Sequence, residues 1–303
     1  MGINLSIKNS IPLLAVSALS FLISGCAGQP ADDHGMMHGD GGVASFQAPI
    51  ELFPAATGDH SWPISTENDV AQAYFDQGIQ LRYAYGVDAA ARSFREAYKA
   101  DPDCAICYWG EAYALGAYLN GALTTEKAPY ALASIRKAAE LALQHASPME
   151  RDLIEATLVR YIEDFDPANK REQDQAFAAA MDEVYRRYPD HLDIAAITAS
   201  AWFVLEERRG TRELDDPNVI RIHKILEKAL AQDIRHPGAC HLYIHATEST
   251  VEPERALPCA EFLGSTIPGA SHINHMPSHT GNEVGDWGRS VRANLQAWHS
   301  DLK

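Results

Sequence analysis

The sequence predicts an all-α protein, a right-handed superhelical solenoid of stacked helix hairpins. Three observations predict it. From Asn68 onward, Gly and Pro are sparse inside long stretches of Ala, Leu, Glu, Arg and Tyr, and strand-like alternation is absent. Gly78, Ala90, Phe94, Ala97 and Pro102 stand at the spacing of one antiparallel helix pair. Further helix-length segments follow in pairs, each pair divided by a short break. With 303 residues, 46% of them hydrophobic, the chain has enough apolar content for a sizeable core.

In chain order, residues 1–26 read as an export signal: Lys8, an apolar run from Ile11 to Ile23, then Ser24-Gly25-Cys26. The run is too short to stay in a bilayer as a permanent helix. A Cys directly after Ser-Gly resembles the bacterial lipobox, which implies lipidation of Cys26 and a mature chain that starts there. Ala27, in place of Asp, implies sorting to the outer membrane, facing the periplasm. The alternative is an ordinary cleaved signal with an incidental Cys. Residues 27–66 are expected as a flexible tether, Gly- and Asp-rich between Gln29 and Gly42. His34, Met36, Met37 and His38 in it could catch a soft metal, but nothing there fixes a geometry.

The solenoid is expected over 67–303. Gly78 and Ala90 are small where two helices touch, Phe94 fills the space between hairpins, and Pro102 ends the second helix. This spacing matches the tetratricopeptide pattern. Tyr108, Ala131, Ile135 and Ala138 echo it, with a longer loop around Asn120–Lys127. Pairs follow at 148–165 with 170–188, 191–207 with 217–233, 238–250 with 253–264, and 272–285 with 286–303. That makes five to six hairpins, whose first helices line a concave groove suited to a protein or peptide partner. The last helix lacks a polar cap and leaves Trp298 and Leu302 half exposed. Either a partner covers them or the chain belongs to a longer unit.

Charge narrows the function. Lys+Arg 25 against Asp+Glu 41 leaves a net −16, which repels phosphate backbones and anionic membrane faces. Nucleic acid is thereby excluded as a partner, and membrane contact is expected only through the Cys26 anchor. The absence of GxxxxGK[ST], GxGxxG and GxSxG patterns argues against the commonest nucleotide-binding and serine-hydrolase plans.

The chemistry lies in the histidines. Of 13 His, 6 fall between 236 and 279. His241 and His245 are spaced i,i+4, and Glu248 extends their face. His272, His275 and His279 are spaced i,i+3,i+7. On a helix each set points one way. The sets occupy successive first helices of their pairs, about 10 Å apart. The five imidazoles and Glu248 can therefore converge on a transition metal, zinc or copper first, with iron or nickel also suited to nitrogen ligands. Glu248 could be a ligand, an acceptor fixing a tautomer, or a general base. Glu283 is a weaker candidate for those roles. Met276 would tilt the choice to copper, but its adjacency to His275 assigns it to the core. Pro277 introduces an alternative, a helix start that leaves His272 and His275 in the preceding turn. Two other functions stay open: a peptide-binding scaffold with structural histidines and no metal, and a metal-dependent hydrolase or oxygenase using Glu248.

Four Cys remain after Cys26. Cys240 and Cys259 lie on two arms of one hairpin, where a disulfide is possible. Cys104-Ala-Ile-Cys107 reads at least as well as two buried packing thiols, because a bridge within one helical turn is strained.

The stretch His241-Leu-Tyr-Ile-His245-Ala-Thr-Glu248-Ser249, followed by His272-Ile-Asn-His275-Met-Pro-Ser-His279, resembles a recurrent block in a family of bacterial exported tetratricopeptide-repeat proteins. Phe75-Asp-Gln-Gly78 and Asp101-Pro-Asp-Cys104-Ala-Ile-Cys107-Tyr-Trp109-Gly110 resemble that family's opening blocks. The resemblance covers most of residues 62–303. It implies the fold and the histidine site but no particular reaction. Relatives often carry His or Asn-His before the second helix, where this chain has Tyr85-Gly86-Val87-Asp88. They also tend to be longer.

Overall fold

The computed structural model describes residues 45–206 and 211–301. Every regular element is a helix: α1 Asp69–Tyr83, α2 Val87–Ala100, α3 Ala105–Leu115, α4 Ala128–His145, α5 Pro148–Leu158, α6 Lys170–Arg187, α7 Leu192–Val204, α8 Pro217–Gln232, α9 Pro237–Thr247, α10 Leu257–Leu263, α11 Ser271–His275, α12 Pro277–Glu283 and α13 Trp287–Asp301. Among the described residues the only strand-like pairing is an isolated bridge between Tyr118 and Gly121. None of the helices among them is long and apolar enough to cross a membrane.

The chain is an all-α solenoid in which each helix packs on its neighbours in sequence, α1 on α2, α2 on α3, and so on through α8 on α9. Six hairpins result, the last formed by α11 and α12 together against α13. Local sequence sets the boundaries. Asn68 accepts two backbone N–H groups at the start of α1, Ser147 and Glu150 form a capping box on α5, and Pro148, Pro217 and Pro237 each open a helix. Phe94 is the wedge of the first two hairpins. A Cβ at Gly78 or Gly110 would meet its ring at 2.9 or 2.2 Å, so Ala at either position should cost about 1–3 kcal/mol through overpacking.

Two features depart from the expectation. Residues 45–66, expected as the end of a tether, are packed against the helices without regular structure. Phe46 and Trp62 in this strap are buried, and Trp62 stands edge-on to Phe75 and Trp109. Aromatic anchors at 46 and 62 supply apolar burial. Cys26, His34, Met36, Met37 and His38 lie outside the described residues. Cys104 and Cys107 form a disulfide and are not two thiols. Cys104 is the residue before α3, with non-helical backbone angles, so the bridge does not span a regular helical turn.

The solenoid also closes on itself. Besides its sequential neighbours, α1 packs against α9. The α1–α2 turn thereby reaches the fifth hairpin, where the histidines lie. At the other edge, Trp287, Val291, Leu295 and Trp298 leave an exposed apolar stripe along α13, and Leu302 lies outside the described residues.

Candidate metal centre

α9 is apolar on nearly every side and buried throughout, so His241 and His245 project into the protein interior. The Cys240–Cys259 disulfide fixes α9 to α10 beside them. The helix carrying the second set breaks at Met276–Pro277 into α11 and α12. Met276 keeps right-handed helical angles, so the break does not separate the histidine face. Met276 itself is buried core.

The five imidazoles form a closed ring. Successive ring centroids are 5.0 Å apart from His241 to His245, 5.2 Å to His279, 4.7 Å to His275, 6.2 Å to His272 and 4.9 Å back to His241. Glu283 is exposed and does not join them.

Which nitrogen faces inward is decided by the hydrogen bonds of the other. Nδ1 of His241 meets the Tyr83 carbonyl, which can only accept, so Nδ1 carries the proton. Nδ1 of His245 donates to Oε1 of Glu248 at 3.0 Å, and Nδ1 of His279 donates to Oε2 of the same carboxylate. Nδ1 of His275 donates to Oδ1 of Asn294 at 2.6 Å, an amide oriented by its own Nδ2 bond to the Ser290 carbonyl. Four rings are thus fixed as Nδ1–H tautomers with bare Nε2 atoms. Nε2 of His241 faces Nε2 of His272 at 3.0 Å, and Nε2 of His275 faces Nε2 of His279 at 2.9 Å. Nε2 of His245 is buried with no hydrogen-bond partner.

Electrostatics follow from this packing. Burial, then the neighbouring His272 and His245, drives His241 well below the ordinary 6.5. Burial and the other rings push His272 down to about 3. His245 and His275 are also lowered, chiefly by burial, which Glu248 and Asn294 only partly offset. Burial would raise Glu248, but the bonds from His245 and His279 outweigh it and hold the carboxyl well below its usual range. His241, His245, His272 and His275 are therefore held toward the neutral form beside a charged carboxylate.

Tyr85 was not legible as part of this site. It is buried, lies against His241 at 4.3 Å and stacks on His272 at 5.1 Å between ring centroids. Its φ of 60° is left-handed, which a bulky side chain adopts at a cost of about 1–3 kcal/mol. Its hydroxyl has no partner. The α1–α2 turn thus contributes an aromatic wall to the site.

A second histidine cluster was also missed. His60 of the strap, Asp193 of α7 and His236 before α9 hold their ligand atoms within 4.8 Å of one another, as do His241, His245 and His272, and His245, Glu248 and His279. By distance the three groups are alike. Proton positions separate them. Nδ1 of His236 accepts the Ala239 N–H at 3.0 Å, so its Nε2 carries the proton and donates to Oδ1 of Asp193 at 3.1 Å. His60 at 2.9 Å and the Tyr83 hydroxyl at 2.7 Å reach the same oxygen. This carboxylate already has three donors. In the third group the close atoms are the hydrogen-bonded Nδ1 and carboxylate pairs themselves, which makes Glu248 an orienting acceptor.

No protein-family model matches this chain, and no curated protein matches it. At the resolution the geometry gives, the molecule is a helical-repeat protein with buried histidine and carboxylate groups able to hold a metal ion.

Proposed function

We propose that this protein is an exported, lipid-anchored tetratricopeptide-repeat protein that holds a transition-metal ion, zinc or copper, on the Nε2 atoms of His241, His245, His272, His275 and His279. The observation that carries this reading is the 2.9 Å contact between Nε2 of His275 and Nε2 of His279. Both rings spend their Nδ1 protons on Asn294 and Glu248. Each neutral ring therefore turns a lone pair toward the other, and two lone pairs at that distance repel. A proton held by His275 is disfavoured, because burial and the neighbouring His279 and His245 push it down. A metal cation removes the conflict. Two nitrogens at this separation can share one ion at about 2.1 Å from each.

Other features support the same reading. The buried, unpartnered Nε2 of His245 costs stability in a scaffold whose histidines are only structural, and an ion would satisfy it. A nitrogen-rich set suits zinc or copper. Glu248 accepts a hydrogen bond on each oxygen, which fits a carboxylate that orients ligands better than a general base for hydrolysis. Ser24-Gly25-Cys26 supports the anchor.

The test is metal content. Protein purified without chelator is expected to carry about one equivalent of metal, and stripped protein to regain it with zinc or copper. Less than about a tenth of an equivalent after reloading overturns the proposal. Labelling of wild type but not Cys26→Ser with a radioactive fatty acid tests the anchor separately.

A further inference from the structure

The strap is held by an unusual row of side chains. Gln72, Gln77 and Gln80 lie on α1, and each binds the main chain of the strap twice. Gln72 accepts from the Ile64 N–H at 3.0 Å and donates to the Trp62 carbonyl at 2.9 Å. Gln77 accepts from Phe53 at 2.9 Å and donates to Glu51 at 3.0 Å. Gln80 accepts from Gly58 at 2.6 Å and donates to His60 at 2.8 Å. In every case the two main-chain groups belong to residues two apart. For Gln72 and Gln77 the carbonyl precedes the N–H, the order that one residue of a parallel β-strand reads with its own N–H and C=O, and for Gln80 the order is reversed. The amide orientations are fixed by the partners, since N–H groups only donate and carbonyls only accept.

Further main-chain contacts extend the row. Arg92 donates through Nε to the Ala48 carbonyl at 2.9 Å, and the Tyr74 hydroxyl donates to Ile50 at 3.2 Å. Between the anchors, Glu51, Leu52, Pro54 and Ala55 are exposed and not read, whereas Phe53 packs on the core, His60 binds Asp193 and Ser61 binds Asp76. Gln77 and Gln80 are buried beneath the strap, and Gln77 also donates to Ser93 at 3.1 Å.

We propose that this face of α1 is a binding groove for an irregular, turn-containing peptide, read chiefly through its main chain between aromatic anchors, and that residues 46–64 are its resident occupant. The ligand class is a non-helical segment with aromatic residues at its ends, where Phe46 packs on Tyr130 and Trp62 on Trp109. The occupied groove also ties the two ends of the solenoid, since the strap accepts the Gly269 N–H on the Ala56 carbonyl. Nothing in this inference depends on a metal.

The experiment uses the full chain with a protease recognition sequence inserted after the exposed Glu67. After cleavage the strap is expected to stay bound, and a fluorescent synthetic peptide spanning 45–66 is expected to exchange into its place. A peptide N-methylated at Phe53 and Gly58 should compete about 10- to 100-fold less well, the loss expected for two main-chain hydrogen bonds. A peptide with Leu52, Pro54 and Ala55 replaced should compete within about threefold of the original. Equal competition by the N-methylated peptide overturns the proposal, as does loss of helical circular dichroism on cleavage. A second measurement needs no variant. In the intact chain the amides of Phe53 and Gly58 should exchange hydrogen together and before the amides of α1. Exchange of those amides only through global unfolding overturns the proposal equally.

Discussion

Two histidine clusters meet at one helix, one at the residue that caps α9, His236, and one five residues or about 7.5 Å further along it at His241, and they differ in one respect that decides their chemistry. Around His241 and His245, Nδ1 donates outward and Nε2 is bare. At His236, Nδ1 accepts the amide of Ala239 and Nε2 donates to Asp193. The first arrangement offers lone pairs to a cation. The second is complete, with three donors on one carboxylate oxygen. Residue types and distances do not separate the two clusters, and the position of one proton on each ring does. His236 has its tautomer because it precedes a helix and caps it. His241 and His245 have theirs because they lie inside the helix, beyond reach of a free amide.

The largest expected effect sets the clusters directly against each other. The His241→Ala/His279→Ala pair of substitutions should lower bound metal more than about tenfold. His60→Ala and His236→Ala should leave it unchanged. Elemental analysis of the folded variants measures both, and metal lost on removal of His60 would erase the distinction.

Asp193→Ala should give the next largest effect, on stability. It strands His60, His236 and the Tyr83 hydroxyl in a buried place, for a loss of about 3–5 kcal/mol. Thermal unfolding measures it. The metal-loaded and metal-free proteins should lose the same amount, because the ion does not touch this carboxylate. A loss confined to the loaded protein would join the two clusters into one.

The two clusters should also respond to pH with opposite sign. His272 falls to about 3 in the folded chain, from an ordinary 6.5, through burial and its neighbours. The unfolded chain therefore binds the proton first, and metal-free protein should lose stability as pH falls from about 6.5 toward 3. His241, His245 and His275 add to that slope. His60 is raised, because Asp193 outweighs burial. Its contribution is complete below 6.5 and should fade as pH rises through the folded value. Denaturant unfolding across pH should thus show an acid limb reduced but not removed by His272→Asn and a shallower alkaline limb reduced by His60→Gln.

Much of this was legible in the sequence and some was not, for physical reasons. The i,i+4 and i,i+3,i+7 spacings align rings on a helix whatever surrounds it, so the five histidines could be read in advance. The matching phase of the two sets survived the break at Pro277 because Met276 stays helical. The Cys240–Cys259 bridge was foreseen as one possibility because both lie on arms of one hairpin. Tyr83 and Tyr85 could not be read, since they meet His241 across 158 and 156 positions of sequence through closure of the solenoid. The strap was hidden for a related reason. Its partners are glutamines that bind main chain, and main-chain recognition leaves no side-chain pattern behind. Cys104 misled because a Cys just before a helix looks, in sequence, like one inside it.

The smallest effect concerns Tyr85, which stands against the first cluster and has no counterpart in the second. Its hydroxyl is buried and unpartnered, so Tyr85→Phe removes a group that costs stability and keeps the ring that stacks on His272. The metal-free protein should gain up to about 1 kcal/mol. The left-handed backbone at this position is unchanged by the substitution and contributes nothing to the difference. The same gain is expected with metal bound, if the hydroxyl lies outside the ion's ligand set. A gain in the metal-free protein that turns to a loss in the loaded one would mean that the phenol hydrogen-bonds a ligand carried by the ion. Tyr85 would then be the residue that selects what the open side of the centre accepts, and comparing unfolding of the two forms is enough to decide it.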